Sequence, residues 1–202
     1  MNYLAIDTSG KNLTVLICKD GQVHSYFDEE CGINHSVNLM SRVEELAQKV
    51  GFDFGKADFF ACVVGAGSFT GIRIGVSTVK AMCFAFDKPC LSITSFDTLA
   101  YNEDGRVLAL IDAKHNGFYV CGYNNGKVDF EPSYLMREQM LEVCKNYEKI
   151  VCATQVENLI TKKVCVKEGL IKAIESKKDL ISNDIETLTP LYVRKSQAEE
   201  GR

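Results

Sequence analysis

The chain has 202 residues, of which 46% are hydrophobic and 25% are charged, a balance typical of an ordinary globular protein. This composition excludes a disordered tail, a collagen-like repeat and a disulfide-bonded miniprotein. The nine cysteines are odd in number and none stands in a C-x-x-C spacing, so we interpret them as small core side chains in a reducing cytosol. A net charge of −4 and the lack of a basic stripe argue against independent nucleic-acid binding.

Neither a leader nor a membrane span is evident in the sequence. Residues Met1–Asp7 contain no basic leader, which argues against a secretory signal. The longest apolar run, Phe59–Val64, is far shorter than the roughly 20 residues that a membrane-spanning helix needs. We therefore predict a cytoplasmic protein that does not bind a membrane.

The first half of the chain predicts three antiparallel strands, a helix, a buried strand, a second helix and a fifth strand. Asp20-Gly21 suits the tight turn of a hairpin, and either Asn34 or Ser36 can cap the first helix. A short helix, capped by Ser95, should follow the fifth strand. The predicted elements are strands Tyr3–Asp7, Asn12–Cys18 and Gln22–Phe27, helix Ser36–Val50, strand Phe59–Val64, a helix from the glycine-rich turn to Asp87, strand Cys90–Ile93 and helix Ser95–Tyr101.

The second half repeats the β-β-β-α-β order from about residue 107. We therefore predict an α/β protein of two related lobes, residues 1–103 and 104–202, and place no element after Lys163. The predicted elements are strands Val107–Asp112, Phe118–Tyr123 and Val128–Phe130, helix Ser133–Asn146 and strand Ile150–Ala153.

The most distinctive segment is the glycine-rich turn Gly65–Gly71 and the helix that follows it. A glycine turn between a buried strand and a helix is a usual setting for phosphate binding. However, the spacing fits neither the Walker motif nor G-x-G-x-x-G. Alternatively, Gly67, Gly71 and Gly75 recur every four residues and form a smooth helix face, which could pack closely against the chain's own sheet or against a partner. Both interpretations remain open on spacing alone.

Polar residues that could hold phosphate stand at two strand ends. Asp7, Thr8 and Ser9 follow the first strand, and Asp112 ends the first strand of the second half. An aspartate beside hydroxyls can orient phosphate or a magnesium-bound water, but it can equally cap its own turn. The three histidines are scattered and none forms a helical metal-binding pair, so we predict neither a metal site nor a catalytic constellation.

The segment Gly65-Ala66-Gly67-Ser68-Phe69-Thr70-Gly71-Ile72-Arg73-Ile74-Gly75 resembles the G-P-G-S-F-T-G-L-R-I-G signature of the TsaB (YeaZ) family of tRNA threonylcarbamoyladenosine biosynthesis. Weaker matches occur in the same order over most of the chain. They are Leu4–Ser9, Asn34-His35-Ser36, Asp112-Ala113-Lys114 with Tyr119, and Pro190–Arg194. The resemblance implies a duplicated actin-like, ribonuclease-H-like (ASKHA) fold, with a trimmed second lobe because the chain is short.

The resemblance also implies a function without catalysis. Family members bind the catalytic subunit TsaD and, with the ATPase TsaE, support threonylcarbamoyl transfer to the adenosine beside the anticodon (A37) of tRNA. We expect a heterodimer with TsaD, a homodimer when TsaD is missing, and tRNA contact only through the complex. The two helices of the first lobe form the TsaD contact in the family.

From that resemblance we assign three groups of residues. The expected partner interface is Val37, Met40, Val43, Gly71, Ile74, Gly75, Thr78 and Met82. The motif turn is Gly65, Gly67, Ser68, Phe69, Thr70 and Arg73. The candidates for a vestigial phosphate site are Asp7, Thr8, Ser9 and Asp112.

Departures from the family pattern weaken any nucleotide site. Ala66 replaces a proline, Lys114 replaces the usual arginine, and Gly117 stands where glutamate is common. The chain has no adjacent glycines, which an actin-like nucleotide site generally needs in its second lobe. We predict no cofactor, apart from a weak possibility of a nucleotide at the subunit junction. The alternative function is an actin-superfamily ATPase or phosphotransferase that uses Asp7 and the Gly65–Gly71 turn. A metallopeptidase lacks its metal ligands.

Overall fold

The computed structural model describes residues 1–32 and 35–194, so the predicted cap Asn34 lies outside the described residues. The chain forms two compact units, each built on one five-stranded sheet. The first unit comprises Met1–Ile93 and Ser176–Pro190, and the second comprises Thr94–Glu175 and the described residues 191–194.

The first sheet has the strand order β3-β2-β1-β4-β5, with β1, β2 and β3 antiparallel and β1, β4 and β5 parallel. Strand β4 is fully buried, as its continuous apolar sequence predicted, and β1 is fully buried as well. Tyr3 of β1 stacks on Phe59 of β4 with ring centroids 5.1 Å apart. The elements are β1 (Tyr3–Asp7), β2 (Leu13–Lys19), β3 (Gln22–Asp28), α1 (His35–Val50), β4 (Phe59–Val63), α2 (Phe69–Phe86) and β5 (Cys90–Ile93).

The second sheet repeats this arrangement with the order β8-β7-β6-β9-β10 and the same strand directions. The predicted duplicated ribonuclease-H-like α/β fold is thus confirmed. The elements are α3 (Ser95–Ala100), β6 (Arg106–Asp112), β7 (Gly117–Asn124), β8 (Lys127–Met136), α4 (Arg137–Cys144), β9 (Lys149–Cys152), β10 (Lys162–Lys163) and α5 (Val166–Lys177). Short 3₁₀ helices lie at Phe54–Lys56, Lys178–Leu180 and Ile185–Thr187.

The crossovers of the second unit are shorter than those of the first. Helix α4 has 8 residues where α1 has 16. Residues 153–161, all of which the structure describes, contain no helix, whereas α2 makes the corresponding connection in the first unit with 18 residues. The second unit is therefore trimmed in its connections and not in its number of strands.

Two predicted elements of the second unit need correction. Residues 133–136 belong to β8 and not to a helix, because Ser133 pairs with Val120 and Tyr134 with Tyr119 across the sheet. These cross-strand pairs outweigh the helical pattern of the segment. The cap of α3 is Thr94 and not Ser95, since the Thr94 hydroxyl accepts a hydrogen bond from the Asp97 N–H at 3.0 Å.

The boundary between the two units follows Ile93 and not residue 103, where we predicted it. Helix α3 packs against β6, β7 and β9 and belongs to the second unit. Later, residues 176–190 return to the first unit, where Ser182 exchanges two backbone hydrogen bonds with Cys90 of the edge strand β5. Linear sequence patterns show where elements begin but not with which sheet a connecting helix packs.

Eight of the nine cysteines are buried and all nine are free thiols, which agrees with their interpretation as small core side chains. Burial raises the pKa of the Cys83 thiol to about 12, so this group is an unreactive thiol at neutral pH.

Helix α2 is the one helix of the described residues that is long and apolar enough to cross a membrane by length and composition. Polar residues such as Arg73, Ser77 and Lys80 interrupt its sequence, so α2 contains no long continuous apolar run. Its inward face packs against β1, β4 and β5, so α2 serves as a helix of the α/β core.

Candidate functional site

The glycine turn joins β4 to α2 and lies against the end of β1. Ser68 caps α2, with its hydroxyl accepting a hydrogen bond from the Gly71 N–H at 3.2 Å. The Ser68 N–H in turn donates to the Ser9 carbonyl at 2.8 Å. Gly67 has a φ of +152°, and a Cβ there would collide with that same Ser9 carbonyl. Two donors of the turn are therefore used within the fold and do not cradle a phosphate.

The glycine face of α2 points inward, which corrects the expectation that Gly71 and Gly75 contact a partner. A Cβ at Gly71 would collide with the Thr8 carbonyl, and one at Gly75 would lie 2.6 Å from the Thr8 hydroxyl and 3.3 Å from the Cys62 sulfur. Both glycines are buried. The four-residue spacing correctly predicted a close approach, but the chain's own residues Thr8 and Ser9, directly after β1, make it.

Asp7, Thr8 and Ser9 are likewise committed to the fold, with exposed fractions of 3% or less. Asp7 Oδ1 accepts hydrogen bonds from the Ser9 N–H at 2.8 Å and the Ser9 hydroxyl at 2.7 Å. Burial raises the pKa of the Asp7 carboxyl, and the Ser9 hydrogen bonds partly oppose this shift. The Thr8 hydroxyl donates to the Gly71 carbonyl at 2.7 Å. The turn-capping interpretation of this motif agrees with these contacts.

Asp112, the fourth phosphate candidate, lies in the second unit at the end of β6 and is largely exposed. Its Oδ1 accepts the Lys114 N–H at 2.8 Å and its Oδ2 pairs with the Lys114 ammonium at 2.8 Å. Asp112 thus closes its own turn, as Asp7 does.

His35 is a buried residue of this region that the sequence analysis did not assign to a site. It begins α1, is 4% exposed, and its Nε2 lies 3.1 Å from the Gly10 carbonyl. Its Nδ1 is buried without a hydrogen-bond partner. The available signal was the family match Asn34-His35-Ser36, which gave a position for the histidine but no contact.

Helices α1 and α2 contact each other and cover the first sheet, α1 against β2 and β3 and α2 against β1, β4 and β5. Of the expected interface residues, Val37 is 76% and Met40 is 45% exposed. Ile74 and Thr78 are half-buried, whereas Val43 and Met82 are buried and thus cannot contact a partner, which corrects their assignment. Of the motif-turn residues, Gly65 is buried, Gly67 and Phe69 are half-buried, and Ser68, Thr70 and Arg73 are exposed.

Phe84 on α2 is the large exposed residue that sequence reasoning missed. It is 82% exposed, whereas Gly71, Gly75 and Val79 on the inward face of the same helix are buried. Because α2 is apolar nearly all round, its sequence offers no contrast that separates an outer apolar residue from a core one. We define the outer helix face by its exposed or half-buried members: Val37, Met40, Ile74, Thr78 and Phe84.

The described residues contain no group of three or more histidine, cysteine, aspartate or glutamate side chains that could hold a metal ion.

Comparison with known proteins gives a consistent picture. Residues 27–133 match the family model TsaD, a tRNA N6-adenosine threonylcarbamoyltransferase. A curated relative, the tRNA threonylcarbamoyladenosine biosynthesis protein TsaB of Bacillus subtilis, is 28% identical over 98% of this chain and 96% of its own. The TsaB of Escherichia coli is 30% identical over 61% of this chain and 55% of its own.

Two solved structures share the fold. One is described as an uncharacterized protein with similarity to peptidase YEAZ from Pseudomonas aeruginosa, with a TM-score of 0.80, 23% identity, and coverage of 96% of this chain and 99% of the other. The other is YeaZ from the same organism, with a TM-score of 0.76, 22% identity, and coverage of 95% and 99%. At these identities the likeness establishes the fold alone.

Proposed function

Since the chain belongs to the TsaB family of tRNA threonylcarbamoyladenosine biosynthesis proteins, we propose that it is the non-catalytic subunit that binds TsaD through the outer helix face. The single observation that carries this proposal is the exposure of large apolar side chains on α1 and α2. Val37 and Phe84 are 76% and 82% exposed on helices whose other faces are firmly packed. Exposed apolar residues on rigid elements are typical of protein interfaces.

The partner class follows from the family match. Residues 27–133, which include α1 and α2, match the TsaD model, so TsaD should carry a similar helix pair. Two similar helix pairs can associate around an approximate two-fold axis, with each contributing the same surface. The same face would serve a homodimer of this chain when TsaD is missing.

A non-catalytic role suits the chemistry of the buried polar residues. Asp7, Thr8 and Ser9 form hydrogen bonds within the turn and with α2, which leaves them poorly placed to act on a nucleotide.

The expected partners and location also agree with the composition of the chain. The net charge of −4 favours tRNA binding through the complex and not by this chain alone. TsaE would join this complex as its ATPase. Free buried thiols suit the reducing cytoplasm in which we place the protein.

Reconstitution tests the proposal. The chain would be mixed with TsaD, TsaE, tRNA and the threonylcarbamoyl adenylate, and modified adenosine would be measured with each protein omitted in turn. We expect modification only when this chain and TsaD are both present, and none from this chain alone. Full activity without this chain would contradict the proposal. Calorimetry with ATP and magnesium on the isolated chain is the companion test, since tight binding with turnover would favour the ATPase alternative.

A further inference from the structure

The residues that follow β1 are bonded to the starts of both long helices. The turn Asp7–Gly10, which we call the anchoring turn, contacts α2 twice and α1 once. The Thr8 hydroxyl donates to the Gly71 carbonyl at 2.7 Å, and the Ser9 carbonyl accepts the Ser68 N–H at 2.8 Å. The Gly10 carbonyl lies 3.1 Å from Nε2 of His35, the first residue of α1.

The anchoring turn is itself held in one conformation. Asp7 Oδ1 accepts two hydrogen bonds from Ser9, which fixes the backbone between them. Asp7, Thr8, Ser9 and His35 are each at least 95% buried, so water cannot easily replace the Thr8 contact with α2, whereas the His35 contact reaches the carbonyl of the exposed residue Gly10 and is partly buried. The position of one rigid turn therefore determines where two helices begin.

From these contacts we infer that the anchoring turn acts as the positioning element of the outer helix face, with His35 as the positioning residue for α1. This inference rests on the proposed function. Val37 and Met40 lie two and five residues after His35, within the first two turns of the helix that it ties down. If the start of α1 were free to shift, both side chains would move away from the positions in which we expect them to contact TsaD.

The nitrogen of His35 that bonds to the anchoring turn is Nε2. A backbone carbonyl can only accept a hydrogen bond, so Nε2 must carry the proton in the bond to Gly10. The buried Nδ1 has no hydrogen-bond partner among the described residues. Burying Nδ1 without a hydrogen-bond partner destabilises the fold, and the hydrogen bond from Nε2 to the Gly10 carbonyl must offset this cost.

The test compares the wild-type chain with His35→Leu and His35→Gln for affinity toward TsaD from the same organism. Leucine fills much of the ring volume but removes both nitrogens, whereas the glutamine amide supplies an N–H that can reach the Gly10 carbonyl. We expect the leucine variant to bind about tenfold more weakly, equivalent to about 1.4 kcal/mol. The glutamine variant should restore affinity to within about threefold of the wild type.

Equal binding by the leucine variant and the wild type would overturn the inference, and so would a glutamine variant as weak as the leucine variant. Should His35→Leu fail to fold, Thr8→Val and Thr8→Ser make the same comparison at α2, since only serine keeps the hydroxyl that bonds Gly71. Imidazole nitrogen chemical shifts of the free chain give a separate readout. The Nε2–H tautomer is expected, and an Nδ1–H tautomer would contradict the assigned bond.

Met40→Asp separates failure of this inference from failure of the proposed function. Met40 points outward and makes none of the bonds to the anchoring turn. If Met40→Asp leaves TsaD affinity unchanged, the proposed interface is wrong. If Met40→Asp weakens binding while His35→Leu does not, the interface stands and only the positioning role of His35 fails.

Discussion

The two units of the molecule share one strand order but differ in the segments that cross their sheets. The first unit uses helices of 16 and 18 residues, whereas the second uses one helix of 8 residues and a helix-free loop. A long helix packs one face on the sheet and presents another to its surroundings. The comparison indicates that the duplicated strands supply a common framework, while the long helices of the first unit present additional helix surface that the second unit lacks.

The largest effect is expected from a substitution that disrupts the contact of α2 with Thr8 and with Cys62 of β4 in the first unit. Gly75→Leu forces a side chain into the space of the Thr8 hydroxyl and the Cys62 sulfur, so the free energy of unfolding should fall by about 3 kcal/mol. Ser77→Leu, an exposed position on the same helix, should change it by no more than about 0.5 kcal/mol. Urea unfolding of both variants measures this difference. If Gly75→Leu were as stable as Ser77→Leu, the space beside Gly75 would be large enough for a side chain, and the close contact with Thr8 and Cys62 would be wrong.

A smaller effect is expected in the second unit, at the contact of Tyr147 with Asp129. The Tyr147 hydroxyl donates to Asp129 Oδ1 at 2.8 Å, so Tyr147→Phe should lower the free energy of unfolding by about 1 kcal/mol. Burial, followed by this hydrogen bond, raises the pKa of Tyr147 from 10.0 to about 12. Because the folded pKa is the higher one, stability is lost as pH rises from 10 to 12.

Tyr147→Phe should remove that alkaline loss, which pH-dependent unfolding and the ultraviolet absorbance of tyrosinate both report. An unchanged alkaline profile in the variant would show that Tyr147 does not titrate in this way.

The smallest effect concerns Asp7 in the anchoring turn. Asp7→Asn keeps an oxygen that can accept both Ser9 hydrogen bonds and cannot ionise, whereas burial disfavours the charged form of the Asp7 carboxyl, so we expect a gain of no more than about 1 kcal/mol at neutral pH. Because burial raises the folded pKa of Asp7, the wild type loses stability as pH rises through that pKa. The gap between the two proteins should narrow as the pH falls. A variant clearly less stable than the wild type at neutral pH would show that the fold needs the carboxylate charge.

Periodicity and turn chemistry predicted much of the framework. The continuous apolar strands β1 and β4, the Asp20-Gly21 hairpin and the repeated strand order all lie where the sequence placed them. These features depend on local preferences and on simple alternation, which a single sequence carries. The prediction that residues 133–136 are helical was wrong, because their pairing with Tyr119 and Val120 is a long-range contact that local patterns do not show.

The candidate site was predicted less completely, and for one physical reason. The spacing of Gly67, Gly71 and Gly75 identifies residues that share a helix face, but it does not say which neighbour that face meets. Thr8 and Ser9 meet it here, across a sequence separation of more than fifty residues. Phe84 was missed because α2 is apolar nearly all round, so its sequence does not show which residues the fold exposes. His35 was missed because its contact with Gly10 joins residues 25 positions apart in the sequence.

The central claim is that TsaD binds to the outer helix face of the first unit. Exposed apolar residues of the second unit are not expected to contribute to this binding. Val37→Asp and Ile160→Asp test it directly, because both residues are strongly exposed apolar side chains, 76% and 95% exposed, one in each unit. Affinity for TsaD would be measured by calorimetry, with unfolding curves to confirm that both variants fold. The account predicts that Val37→Asp weakens binding at least about tenfold while Ile160→Asp leaves it unchanged. Unchanged binding by Val37→Asp, or a loss confined to Ile160→Asp, would contradict it.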